Sequence, residues 1–130
     1  MFKVNLRPMV SGDTDFIVKS WSRCFTDQQP GNKPWLIKAC SALIRELLKK
    51  SQVHILCLEE DEDMIIGYIV GEAPNTLHFI YLKFDYRRLG FGKQLMSLLF
   101  DFKDKIELTH WTHAAKHLQD KWNLTRGKLL

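Results

Sequence analysis

Seven residues in the middle of the chain, Arg87-Arg88-Leu89-Gly90-Phe91-Gly92-Lys93, carry the clearest chemistry. An apolar run, Leu77 to Leu82, precedes them, and an amphipathic segment opening at Lys93 follows. A strand, a glycine-bearing turn and a helix start make an anion cradle. Successive backbone N–H groups converge on a phosphate, and the positive end of the helix supports them. Gly90 and Gly92 lack a Cβ and would let the backbone come close. The spacing therefore predicts a phosphorylated ligand. It is not a P-loop, because Gln94 follows Lys93 and no glycine lies five before Gly92. It is not a dinucleotide fingerprint either, because position 95 is Leu95 where a third glycine is required.

Imidazoles are the other reactive groups. His78 lies in the run Leu77 to Leu82, where strand alternation puts it on the face of Ile80 and Leu82. A neutral imidazole can take up and pass on a proton near pH 7. A strand-end histidine that merely reaches solvent explains the residue equally well. Glu72 is a second possible base, although a polar residue often closes a strand without any function. His110, His113 and His117 are spaced by three and four. In one helix they would share a face above Asp120, and imidazoles at i and i+4 can ligate zinc, iron or nickel. His110, however, falls at a predicted strand end and Thr112 is the better helix cap. Ordinary helix histidines are the preferred reading, and no metal is expected.

These groups must be positioned by one domain spanning residues 1–130, a length that supports a single core. A hydrophobic fraction of 45% with 26% charged residues suits a soluble globular protein. No apolar run approaches the roughly 20 residues of a membrane span. Charges within Met1 to Arg7 argue against a secretory signal. Cys24, Cys40 and Cys57 are odd in number and set in apolar surroundings, so reduced core thiols and a cytoplasmic location are expected. The net charge is +4, although Glu59 to Asp63 places five acids in one connection, read as a solvated hairpin tip. The remaining basic surface would suit nucleic acid or a multiply charged phosphate ligand. The second is preferred, because the bases are scattered without regular aromatic interleaving.

The periodicity predicts strand Val4 to Arg7, then a helix capped by Asp13 or Thr14 with Ile17, Trp21 and Cys24 on its apolar face. A loop through Asp27 to Pro34 leads to a second helix carrying Leu36, Cys40, Leu43 and Leu47. Strands follow at His54 to Leu58, Met64 to Val70 and Leu77 to Leu82, the last apolar on both faces and so central. A long helix is predicted from Leu89 to Lys103, then strand Ile106 to Trp111, helix Ala114 to Trp122 and, as an option, a short strand Gly127 to Leu130.

Arg87-x-x-Gly90-x-Gly92 resembles the [RQ]-x-x-G-x-[GA] signature of the GCN5-related N-acetyltransferases (GNAT). The predicted order β-α-α-β-β-β-α-β-α resembles that family over nearly the whole chain. The resemblance implies an α/β (α+β) acyl-CoA N-acyltransferase fold, a mixed central sheet with helices on both faces, here with a shortened C-terminus. It implies acetyl-coenzyme A as acyl donor and direct transfer to an amine on a small molecule, protein or nucleic acid. Residue by residue, Arg87, Arg88, Leu89, Gly90, Phe91, Gly92 and Lys93 take the pyrophosphate loop. Leu82 and Ile80 take the strand positions that pair with pantetheine. His78 matches a histidine of arylalkylamine N-acetyltransferases, and the loop Thr26 to Pro34 would shape the acceptor site.

The last helix departs from the pattern. Members of the family often carry Asn-x-x-Ala and then a tyrosine that protonates the leaving thiolate. This chain has Thr112-His113-Ala114-Ala115 and then Gln119, which is no acid. Tyr81, Tyr68 or water would have to replace the tyrosine, or the enzyme would need no acid at all. A sheet left open at its C-terminal edge could be completed by a second copy, as a homodimer. Two rivals stay open. One is a phage Mom-type DNA-modification enzyme on this fold, and the other is a module that binds coenzyme A without turnover.

Overall fold

The computed structural model describes residues 3–27, 34–110, 115, 118–119 and 121–127. Its elements are β1 (Val4–Pro8), α1 (Thr14–Asp27), α2 (Pro34–Lys50), β2 (Gln52–Leu58), β3 (Asp61–Glu72), β4 (Thr76–Leu82), α3 (Phe91–Ser97), β5 (Ile106–Leu108) and β6 (Leu124–Arg126). One six-stranded sheet runs β1-β2-β3-β4-β5-β6. The first four strands pair antiparallel, whereas β4 with β5 and β5 with β6 pair parallel. The sheet is mixed, with helices on both faces, as the family resemblance implies.

Each face buries its own apolar layer. Ile17 and Trp21 of α1, four residues apart, meet Ile44 and Leu47 of α2 over Tyr68, Val70 and Phe79. On the other face Leu95 and Met96 of α3 join Leu56, Ile69, Leu77, Ile106 and Trp122. Strand β4 lies between β3 and β5, which is why its sequence is apolar on both sides. Helix α2 opens at Pro34, a residue preset for a first helical turn, and ends on Lys49 and Lys50, where cations suit the C-terminal dipole. Cys40 and Cys57 are buried free thiols, and burial pushes the Cys40 thiol up from its ordinary value. No helix among the described residues is long and apolar enough to cross a membrane.

Four local expectations are corrected. The helix predicted from Leu89 to Lys103 is the short α3, Phe91–Ser97. The chain turns because Leu99 and Phe100 both donate N–H to the Met96 carbonyl, and the Asp101 carboxylate accepts the Lys103 N–H. Leu99 and Phe100 stay buried, so the core demand behind the apolar pattern is met by a turn. The acidic connection is shorter than predicted, since Asp61–Asp63 already belong to β3. Asp13 does not cap α1 through its side chain. Its carboxylate accepts two bonds from Arg7, at 2.7 and 2.9 Å, and the Val10 N–H. The last strand among the described residues is Leu124–Arg126, where a turn or helix end was expected, paired parallel with Ile106–Leu108. The optional strand Gly127 to Leu130 falls largely outside the described residues. The loop Thr26 to Pro34 and the helix Ala114 to Trp122 fall largely outside the described residues, although Ala115 and Leu118 are helical.

Candidate functional site

Strand β5 accompanies β4 only briefly. Thr76 pairs with Glu107 and Leu77 with Leu108, and the Thr109 N–H donates to the Leu77 carbonyl at 3.0 Å. Past that point β4 runs on to Leu82 without β5 beside it. The parting leaves a small apolar cavity of about 50 Å³, lined by Leu77, Phe79, Ile80, Leu108, Leu118 and Trp122, among others. The separation follows from length, because β5 has three residues and β4 seven.

His78 sits at the vertex. In the β3–β4 ladder Val70 faces Phe79 and Gly71 faces Leu77, so His78 is one residue too many and forms a bulge. Leu77, Ile80 and Leu82 consequently pack in one core layer while Phe79 and Tyr81 pack in the other. The solvent-reaching reading of His78 is corrected, since it is 2% exposed.

Both ring nitrogens of His78 are engaged. Nδ1 lies 2.7 Å from Thr109 Oγ1, and Nε2 lies 2.7 Å from Glu72 Oε2. An ionised carboxylate can only accept, so in the neutral imidazole Nε2–H donates to Glu72. Nδ1 is then the acceptor, and the Thr109 hydroxyl donates to it. Glu72 keeps 38% of its side chain exposed, so the line Thr109–His78–Glu72 runs from the buried vertex to water. The structure joins His78 and Glu72, which the sequence reading proposed separately. Thr109 escaped that reading, but parallel pairing of Leu77 with Leu108 places the next residues, His78 and Thr109, side by side.

Tyr81 is not joined to this line by any hydrogen bond among the described residues. It packs half-buried against Phe16 and Tyr68 on the α1 side. Tyr68 is buried, with its hydroxyl 2.6 Å from Ser20 Oγ and 3.2 Å from the Ile17 carbonyl. That hydroxyl serves the core.

The turn Arg87 to Lys93 follows directly from β4. Arg87, Arg88, Leu89, Gly90 and Lys93 are exposed, and Phe91 and Gly92 are half-buried. Arg88 and Gly90 both take left-handed backbone, at φ 65° and 89°. For Gly90 this is cheap, and a non-glycine residue held there is unusual enough to suggest a built turn. Phe91, Gly92 and Lys93 open α3, so their N–H groups have no carbonyl four residues back within the helix. Arg87 folds back, with Nε donating to the Leu82 carbonyl at 2.9 Å and its guanidinium over Phe84. Gly92 is closely packed as well: a Cβ there would stand 3.2 Å from Trp122, a tight contact, and 3.5 Å from Leu82. Ile80 and Leu82 lie partly buried against the α3-side core.

His110 is buried between aromatic groups. Trp21 Nε1 donates to its Nδ1 at 3.2 Å, and its ring stacks on Phe79. Burial pushes its pKa down to about 4. Thr112, His113, His117 and Asp120 lie outside the described residues. Gln119 is exposed and its carbonyl accepts the Leu124 N–H.

Comparison with known proteins agrees with this geometry. Residues 14–125 match the sequence model of the acetyltransferase (GNAT) family. The fold is similar to that of an acetyl transferase from Pyrococcus furiosus, with TM-score 0.69, 13% identity, and 98% of this chain covering 97% of that one. It is similar to the acetyltransferase YycN from Bacillus subtilis, with TM-score 0.67, 15% identity and coverage of 98% and 96%. A GCN5-related N-acetyltransferase from Rhodopseudomonas palustris gives TM-score 0.50 at 16% identity over 75% of this chain, which spans 64% of that chain, less than two thirds. No curated protein sequence matches.

Proposed function

Because the chain belongs to the acetyltransferase (GNAT) family, we propose that it is an N-acetyltransferase moving an acetyl group from acetyl-coenzyme A to an amine. The observation that carries this reading is the turn Arg87 to Lys93. It is exposed, basic and left-handed at two positions, and it stands where β4 has parted from β5. The residues fit the group. Backbone N–H groups of Phe91, Gly92 and Lys93, with the charges of Arg88 and Lys93, would hold the pyrophosphate. Arg87 braces the turn through Leu82 and has further guanidinium donors to spare. Ile80 and Leu82 would border the pantetheine arm. Bound acetyl-coenzyme A supplies an activated thioester, and nothing in the transfer requires a covalent intermediate on the protein.

What the chain itself supplies is proton management. An alkylammonium acceptor has to lose a proton before it can attack. His78 Nδ1 is the accepting site of the neutral imidazole. A proton arriving there by way of the Thr109 hydroxyl or water releases the Nε2 proton to Glu72, which reaches solvent. Proton count and charge balance along the line. Tyr81 is the weakest of the proposed catalytic groups, because it packs toward α1. Thr112 would stand near the leaving thiolate if the family pattern carries over. The same reading takes residues 1–130 as a single-domain cytoplasmic enzyme, which suits its buried free thiols Cys40 and Cys57. The acceptor amine belongs to a small molecule, a protein or a nucleic acid, and a homodimer is part of the same reading, since β6 ends the strand order among the described residues.

Calorimetric titration of acetyl-coenzyme A tests the proposal. Wild type should bind in the micromolar range, about −8 kcal/mol. The double variant Arg88→Glu, Lys93→Glu changes only exposed side chains and should bind far more weakly while remaining folded. A folded wild type that shows no binding removes the proposal.

A further inference from the structure

We infer that Trp122 is a positioning residue of the donor cleft, its indole N–H donating to a carbonyl oxygen of the amide-bearing arm of the acyl donor. The inference rests on the coenzyme reading above. Trp122 is 9% exposed, and its Nε1 has no hydrogen-bond partner among the described residues. Buried donors are normally paired, so an unpaired one at a site calls for a reason. Two other buried side-chain atoms share this state, Ser22 Oγ and Ser51 Oγ, and neither residue lines the cavity between β4 and β5. Trp122 does line it, together with Leu77, Phe79 and Ile80.

The orientation of the ring supports the assignment. Its Cη2 and Cζ2 atoms would lie 3.2 and 3.7 Å from a Cβ on Gly92, where α3 begins. Cζ2 and Nε1 are both bonded to Cε2, so the N–H belongs to the flank of the ring turned toward Gly92. Gly92 opens α3 directly after the basic turn, and Trp122 is also one of the residues lining the apolar cavity. An indole N–H donates and never accepts, so the group it selects is an acceptor oxygen and not a cation. Walls that are apolar apart from His110 and the Trp122 indole suit a chain of methylenes interrupted by amide carbonyls.

The test is nitrogen-resolved NMR of the indole N–H signals of the full chain, titrated with coenzyme A as the free thiol. There are four tryptophans, and the Trp122 signal is the one lost in Trp122→Phe, or assigned in wild type through its contact to Gly92 should the variant misfold. On saturation the Trp122 indole proton should move downfield. Trp122→Phe should bind coenzyme A about five- to tenfold more weakly, the worth of one hydrogen bond, with thermal stability not lowered. If wild type binds coenzyme A while the Trp122 signal stays in place and the variant binds equally, the inference is overturned and the coenzyme reading stands. If wild type binds no coenzyme A, both fall.

Discussion

Trp21 donates its indole N–H to Nδ1 of His110 at 3.2 Å, and each of the two rings stacks on Phe79 of β4. The contact ties α1 to the segment after β5, across the strand that carries His78. It also fixes His110 as neutral. In the folded chain its pKa is about 4, lowered by burial from an ordinary 6.5.

A pH dependence of stability follows. The unfolded chain takes up the His110 proton first as pH falls, so the folded state is fully favoured above about 6.5. It loses up to on the order of 3 kcal/mol between there and about 4. Thermal midpoints of wild type and His110→Gln, measured from pH 7.5 to 4.5, should diverge. Wild type should drop more steeply, because glutamine can still accept from Trp21 without titrating. Parallel curves would show that His110 is not held neutral.

His78→Gln should lower kcat by about 10²- to 10⁴-fold, the range for removing a positioned acid–base group. Thr109→Val should cost less, about tenfold, because water can replace the hydroxyl as relay. Both effects belong in kcat more than in KM, and Glu72→Gln should also alter the shape of the pH–rate profile. Equal activity in His78→Gln, with circular dichroism confirming the fold, would assign the proton to bulk water.

Arg7 and Asp13 form a part-buried pair, with side chains 14% and 7% exposed, and Asp13 also takes the Val10 N–H. The guanidinium holds the Asp13 carboxyl below its usual range. Asp13→Ala would leave the part-buried Arg7 without its counter-charge, held by the Glu62 and Pro8 carbonyls, and the Val10 N–H without its acceptor, so destabilisation of about 3 kcal/mol is expected. The urea midpoint should report it. The carboxylate contributes fully above its unfolded pKa of 3.8, and that contribution is lost as pH falls further.

Gly67 lies in β3 opposite Leu82. A Cβ at Gly67 would meet the Tyr81 carbonyl and stand 2.7 Å from Leu82 Cδ2. Gly67→Ala should therefore push β4 outward where it enters the basic turn, costing about 1–3 kcal/mol. Coenzyme affinity should fall with it. Gly12→Ala, which meets nothing within 4 Å, is the control and should leave both unchanged.

The elements themselves were legible in sequence because their causes are local. Ile17 and Trp21 four apart mark a helix face, and an apolar run at Leu77 to Leu82 marks a central strand. Glycines at 90 and 92 after that run mark a backbone turn suited to an anion. These signals need only propensity, periodicity and the missing Cβ of glycine, all contained within a dozen residues. The two helix stripes and the order of strands then restrict the sheet that can be built.

The tertiary structure decided what no window of sequence contains. The bulge at His78, one extra residue opposite Val70 and Gly71, exists only once β3 and β4 are paired. Thr109 became its partner through the parallel register of Leu77 with Leu108, a contact spanning 31 residues. The helix predicted to Lys103 ended at Ser97 because turn bonds at Met96 and Asp101 satisfied the backbone while still burying Leu99 and Phe100. The unpaired donor of Trp122 was equally invisible, since hydrogen-bond satisfaction depends on every neighbour a side chain acquires in space. Sequence patterns encode what a segment prefers to be, whereas register, bulges and leftover polar atoms arise only when segments meet.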